Sequence, residues 1–285
     1  MTVTVLTDST SYLGEEIKRV LNIKMVSLNL SFGHESIREV DIDNDRFYKM
    51  MATNGIPTSS QPSVGDIQKE MLDVIEKGNS LCCIFISSDM SGTLAAAQIA
   101  KDMVLEKHAN ALIEIIDSRS NCMQLGFAVV MAARAAKAGQ TLEQVKQTAL
   151  EMIKRSRFLF IPENLDYLKK GGRIGGASAL IGNIFKIIPI LTVENGKTTI
   201  LLKVRTKKNA VLTLTDKMMQ DISNYGLGEM VVLHINCLDE ATELAKVLKQ
   251  KLQVTIDIMD IGPVIGLHVG PGTIAIAYYT LNAMR

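Results

Sequence analysis

The chain has 285 residues, 47% hydrophobic and 21% charged, with 31 basic against 30 acidic side chains and a formal net charge of +1. That length suits two domains, and that composition gives a packed core rather than a disordered chain. Near-zero charge excludes bulk attraction to nucleic acid or an anionic membrane, and 5% aromatic residues with no tryptophan argue against a base-stacking surface.

The first half alternates strand-like and helix-like segments. TVTVLT (2–7) reads as a strand, with Thr10 or Ser11 capping a helix that ends near Leu21. KMVSLNLSF (24–32) reads as one further strand, followed by a polar stretch and an Asp-capped helix over about 44–53. Apolar spacing at Val64, Ile67, Met71, Val74 and Ile75 predicts a helix over 63–77. LCCIFIS (81–87) is a continuous apolar run, as expected of a central parallel strand. A helix from Thr93 to about Lys107, a strand at ALIEIID (111–117), a helix closed by Gly139 and another capped by Thr141 complete the half. Repeated β–α units imply a parallel sheet with helices on both faces, a three-layer α/β/α domain.

The second half has another texture. FLFIPE (158–163) reads as a strand, and LDYLKKGGRIGG as a helix end running into a glycine-rich turn. IPILTVENGKTTILLKV predicts a hairpin about Asn195-Gly196. A helix over 207–223, strands at 230–236, 254–262 and 273–280, and a helix over 238–251 give a two-layer α+β domain with a mixed sheet. The boundary falls near residue 156, dividing the chain into 1–156 and 157–285.

No basic leader with a cleavage-like site opens the sequence, and the most apolar stretch, SALIGNIFKIIPILTV, is broken by Asn183, Lys186 and Pro189. A cytoplasmic protein without a membrane span is expected. Cys82, Cys83, Cys122 and Cys237 show no CxxC or metal-ligand spacing and read as buried free thiols.

Six stretches carry chemistry. In FISSDMSGT a strand runs into a hydroxyl-rich loop at a helix start, where open α/β sheets bind ligands and where free N–H groups favour an anion. Ser87, Ser88, Ser91 and Thr93 add donors. The stretch fits neither G-x-S-x-G nor the lysine-bearing phosphate loop, and an N-cap would explain one serine but not the cluster. IPTSSQPS sets three hydroxyls and an amide between Pro57 and Pro62, a rigid loop in which Ser63 suits a helix cap. Two such loops together make a neutral donor nest, which suits a carboxylate better than a polyphosphate. Asp8 in TDST and Asp117 in DSRS end strands; each reads as a loop staple or cap, and no third ligand of fitting spacing supports a shared metal. In KKGGRIGG, Arg173 stands among four glycines, free to meet an anion or a partner or simply solvated. In GPVIGLHVGPGT, His268 stands in a constrained loop, structural or able to donate to a carboxylate near neutrality. KVRTKKN, with Arg205, Lys207 and Lys208, reads as a solvated helix start or a docking surface for an acidic partner.

Taken in order, TDSTSYL, PTSSQPS, ISSDMSGT, DSRS, LKKGGRIGG and GLHVGPGT resemble the DegV family over essentially the whole chain. The resemblance implies a two-domain protein that binds one long-chain fatty acid, such as palmitate, between its domains. It also implies a carrier subunit that presents the carboxylate to a separate ATP-dependent fatty acid kinase and keeps the acyl phosphate. By the same resemblance Ser91 and Ser59 bind the carboxylate, with His268 beside them and Ser60, Gln61, Ser88, Gly92 and Thr93 in support. Ser59 stands where the family usually has threonine. Arg173 and Arg205 match family arginines at the site mouth and at the kinase-engaging surface. Where the family often has Lys-Pro-Ile, this chain has Ile188-Pro189-Ile190, with Lys186 nearby. No cofactor or metal is expected. Two other classes stay open: a lipid sensor or transporter without a kinase, and a serine hydrolase using Ser91, which needs a general base in reach.

Overall fold

A computed structural model describes residues 2–180 and 187–284; Asn183 and Lys186 lie outside the described residues. The chain forms two compact units, Met1–Lys154 and Arg155–Arg285.

The first unit is built on β1 (Val3–Asp8), β2 (Lys24–Val26), β3 (Asn29–Phe32), β4 (Glu35–Arg38), β5 (Thr58–Ser60), β6 (Ser80–Phe85) and β7 (Ile113–Asp117). Its helices are α1 (Glu15–Leu21), α2 (Asn44–Asn54), α3 (Val64–Ile75), α4 (Thr93–Lys107), α5 (Cys122–Lys137) and α6 (Leu142–Arg155). A four-stranded parallel sheet has the order β2-β1-β6-β7. All six residues of β6 are buried, as the unbroken apolar run requires of a strand covered on both faces. On one face Leu6, Leu81, Cys83 and Phe85 pack with Ile67, Met71 and Val74 of α3 and Ala97, Ala100 and Val104 of α4. Burying each large side chain contributes about 1.5–3 kcal/mol. On the other face α5 lies so close that a Cβ on Gly126 would meet the carbonyl oxygen of Ser11 at 2.7 Å.

Three expectations change here. The run 24–32 is two strands, not one. Leu28 N–H donates to Ser9 Oγ at 3.1 Å and Leu28 C=O accepts from Glu39 N at 2.9 Å, which draws the backbone out of the parallel sheet after Val26. The second half, β3, joins β4 and β5 in a separate antiparallel sheet of order β4-β3-β5. Ser59 and Ser60 therefore stand on a short strand, with Ser59 opposite Leu30, rather than in a loop. Thr10 and Ser11 cap no helix. They belong to a 3-10 turn, Ser9–Ser11, capped by Asp8, and Gly14 precedes α1.

The second unit contains β8 (Ser156–Ile161), β9 (Ile188–Glu194), β10 (Lys197–Val204), β11 (Leu227–His234), β12 (Asp257–Asp260) and β13 (Ile274–Thr280). Its helices are α7 (Asp166–Lys170), α8 (Lys207–Tyr225), α9 (Leu238–Leu252) and α10 (Pro263–Val269). The sheet order is β10-β9-β8-β13-β11-β12; only the β11–β12 pair is parallel, so the sheet is mixed. Helices α8 and α9 cover one face through Leu214, Met218, Leu244 and Leu248 against Leu159, Ile190, Val232 and Ile276. Asn195 (φ 50°) and Gly196 (φ 81°) both turn left-handed, the geometry that a two-residue hairpin with native twist demands. His268 is not in a loop. It lies in α10, which starts at Pro263 in the first turn and stops at Gly270 (φ 84°). Among the described residues no helix is long and apolar enough to cross a membrane.

Candidate functional site

In the first unit the two hydroxyl-rich segments meet. The Gln61 side chain lies on Gly92, where a Cβ would stand 3.2 Å from its Cδ and Oε1. That contact sets the end of β5, which carries Ser59 and Ser60, beside the segment between β6 and α4. Ser91 is half-buried; its Oγ is 2.8 Å from Thr93 Oγ1 and accepts from Thr93 N at 3.3 Å. Its backbone N–H donates to Ser87 C=O at 3.0 Å. Helix α4 begins at Thr93, so its first-turn N–H groups and dipole add positive potential at the same end. The Ser91 segment and the start of α4 stand at the carboxyl end of a parallel sheet, the position where such sheets bind ligands. Ser63 has another role: its hydroxyl caps α3 by accepting from Asp66 N at 3.0 Å.

The two strand-end aspartates are staples. Asp8 is fully buried and accepts from Thr10 N (3.0 Å), Thr10 Oγ1 (2.5 Å) and Ile86 N (2.7 Å), fastening the end of β1 to the exit of β6. Burial pushes its pKa above the usual carboxylate value, and those hydrogen bonds oppose the shift. Asp117 accepts from Ser88 Oγ at 2.6 Å and from Arg119 N at 2.8 Å. Ser88 therefore braces the loop. Arg119, which the motifs do not single out, bridges Asp89 at 2.6 Å and Asp117 at 3.4 Å. Its sequence signal is a pair of acidic residues, Asp89 in the loop after β6 and Asp117 at the end of β7, readable only once the two are known to lie together.

In the second unit α7 and α10 pack through reciprocal glycines. A Cβ on Gly171 would run into the His268 imidazole, and one on Gly270 would run into the Tyr167 ring. Arg173 follows on the turn after α7, exposed, its Nη1 donating to Gly171 C=O at 2.9 Å. Burial, and then the neighbouring Arg173 cation, push the His268 pKa down to about 4. The imidazole is thus neutral at physiological pH, which corrects the expectation that it titrates near neutrality. Arg205 is exposed just before α8, whose cap is Thr206. Lys207 is held by Glu163 and Glu240, each at 2.9 Å.

Cys82, Cys83 and Cys122 are buried; burial drives the Cys82 and Cys122 thiols up to about 12, which makes them inert, while Cys237 is half-buried. Among the described residues no group of three or more His, Cys, Asp or Glu is placed to hold a metal ion. A cleft of about 500 Å³ opens between α8 and α9, lined by Val211, Leu212, Leu244 and Val247 with Lys207 and Lys251 at its ends.

A family model described as "Uncharacterised protein, DegV family" matches residues 2–281. The chain belongs to the DegV family. A DegV domain-containing protein of Clostridium acetobutylicum is 59% identical over 285 residues, covering 100% of both chains. A crystal structure of DegV from Bacillus subtilis, described as a fatty acid binding protein, superposes with a TM-score of 0.88 at 31% identity, covering 98% of this chain and 99% of that one. A crystal structure from Eubacterium ventriosum, described as a stearic acid-binding protein, gives 0.87 at 26% identity, covering 97% and 98%.

Proposed function

We propose that this DegV-family chain binds one long-chain fatty acid, holding its carboxylate on the hydroxyls of Ser91 and Ser59. The contact of Gln61 with Gly92 carries the reading, because it sets the two hydroxyl-bearing segments side by side at the helix start. Similarity to proteins described as fatty-acid-binding supports the ligand class. Neutral donors orient a carboxylate without locking it in an ion pair, so it stays available to react. The tail supplies most of the affinity: about 14 methylenes at about 0.8 kcal/mol each give roughly 11 kcal/mol before the entropy of binding is subtracted. In the second unit His268 is neutral and can donate a hydrogen bond, and Arg173 beside it is an exposed cation.

The chain then acts as a carrier, not a catalyst. It presents the carboxylate to a separate ATP-using kinase, which Arg205 on its exposed turn helps to engage, and it retains the acyl phosphate. Calorimetric titration of delipidated protein with palmitate tests the binding step: one equivalent per chain supports it, and no heat with any long-chain acid overturns it. Adding the kinase and ATP tests the second step through acyl phosphate trapped by hydroxylamine. The hydrolase reading is disfavoured by the surroundings of Ser91. Within its own unit, among the described residues, no imidazole or carboxylate hydrogen-bonds to it. Labelling of Ser91 by a fluorophosphonate would revive that reading.

A further inference from the structure

We propose that Arg119 is the positioning residue of the Ser91 loop, acting on fatty acid binding through Asp89 without touching the ligand; the inference rests on the reading that Ser91 holds a carboxylate. The loop from Ser87 to Ser91 is fixed at its root by backbone bonds, Ser87 N to Ser120 C=O at 2.8 Å and Ser91 N to Ser87 C=O at 3.0 Å. Its outer part depends on side chains. Ser88 N–H and Oγ both donate to Asp117, at 3.3 and 2.6 Å. Arg119 closes the arrangement: one guanidinium nitrogen lies 2.6 Å from Asp89 Oδ2, 3.4 Å from Asp117 Oδ2 and 3.3 Å from Ser88 Oγ. Arg119 adopts φ 52°, a left-handed backbone that a residue with a Cβ avoids unless its surroundings fix it. Here the Arg119 N–H donates to Asp117 Oδ1 at 2.8 Å and the guanidinium is held by Asp89 and Asp117, which fix it.

The clamp also sets local charge. Asp89 lies two residues before Ser91, so an incoming carboxylate meets two fixed negative charges and one guanidinium. Removing the guanidinium strips both carboxylates of that cation and loosens the Asp89 end of the loop, while Ser88 still bonds Asp117. The side chains of Arg119, Asp89 and Asp117 are 42%, 26% and 20% exposed, so solvent screens the pairs and they add little to global stability. Binding and folding are therefore separable at this position.

The test uses the delipidated full-length chain, palmitate titration at low salt, thermal unfolding, and amide hydrogen exchange over residues 88–93. Arg119→Gln is expected to weaken palmitate binding about tenfold with an almost unchanged Tm, and to speed exchange in the loop. Arg119→Lys keeps the charge but loses the planar guanidinium, and recovers part of the affinity. Adding Asp89→Asn to Arg119→Gln recovers the electrostatic part, and raising the salt narrows the gap between Arg119→Gln and the unaltered chain. Arg119→Gln binding within about twofold of the unaltered chain overturns the inference, whatever exchange does. If the unaltered chain takes up no fatty acid, the underlying reading fails first and takes this role with it.

Discussion

Gln61 lays its side-chain amide against Gly92, so that a methyl group there would stand 3.2 Å from Gln61 Cδ and Oε1 and 3.3 Å from Nε2. The backbone at Gly92 (φ −73°) accepts any residue, so the glycine is there for the close approach and not for the turn. Gly92→Ala pushes the amide aside by a few tenths of an ångström. Since the displaced group is the end of a flexible side chain, the cost to stability is expected below about 1 kcal/mol. The shift acts on the spacing of the Ser59 and Ser91 segments, so palmitate affinity falls about tenfold. Chemical denaturation and titration on the same variant check both halves.

Gly171 and Gly172 are adjacent and fail differently. A Cβ on Gly171 collides with the His268 imidazole, although its backbone (φ −77°) is ordinary. Gly172 has open space around it and a left-handed backbone (φ 66°). Gly171→Ala is expected to cost about 1–3 kcal/mol by forcing α7 from α10, and to displace His268. Gly172→Ala costs about 1 kcal/mol of backbone strain and leaves His268 in place. Urea midpoints give the energies, and the His268 imidazole NMR shift reports displacement in the first variant alone.

Much of this was legible in the sequence, and the exceptions have physical causes. The continuous apolar run of β6 and the spacing Ile67, Met71, Val74 announce their elements because burial alone fixes them. The division of 24–32 does not show, because KMVSLNLSF keeps its alternation across the break; the break comes from Ser9 and Glu39, both outside the run. Helix α10 hides among glycines and prolines that read as loop, although Pro263 in its first turn and left-handed Gly270 after its end are ordinary start and stop signals. The hydroxyl-rich segments are visible as motifs. Their adjacency is not, since nothing in either segment encodes Gln61 lying on Gly92. The low pKa of His268 was hidden for the same reason: burial is a property of the fold, not of the residue.

Acid stability follows from His268. Burial, with Arg173 second, lowers its pKa to about 4, while an unfolded histidine titrates near 6.5. As pH falls the unfolded chain takes the proton first, so this contribution is complete above about pH 6.5 and is lost as pH falls through about 4, on the order of 3 kcal/mol over the window. His268→Phe is expected to flatten the stability profile between those limits.

Asp8 is the structural counterpart. Asp8→Ala leaves the N–H groups of Thr10 and Ile86 buried without acceptors and is expected to cost about 3 kcal/mol or more. Asp8→Asn keeps the shape but turns a donor toward one of those N–H groups, and recovers only part of that loss. Thermal unfolding of the two variants side by side checks the order.

Whether Ser91 and Ser59 hold a fatty acid carboxylate is decided by native mass spectrometry of protein purified without added lipid, followed by denaturing extraction and identification of what is released. One fatty acid per chain is expected, lost in the Ser59→Ala/Ser91→Ala variant while the fold survives. A chain that emerges empty and takes up no offered fatty acid, or a double variant that keeps its lipid in full, would show that these hydroxyls serve some other purpose.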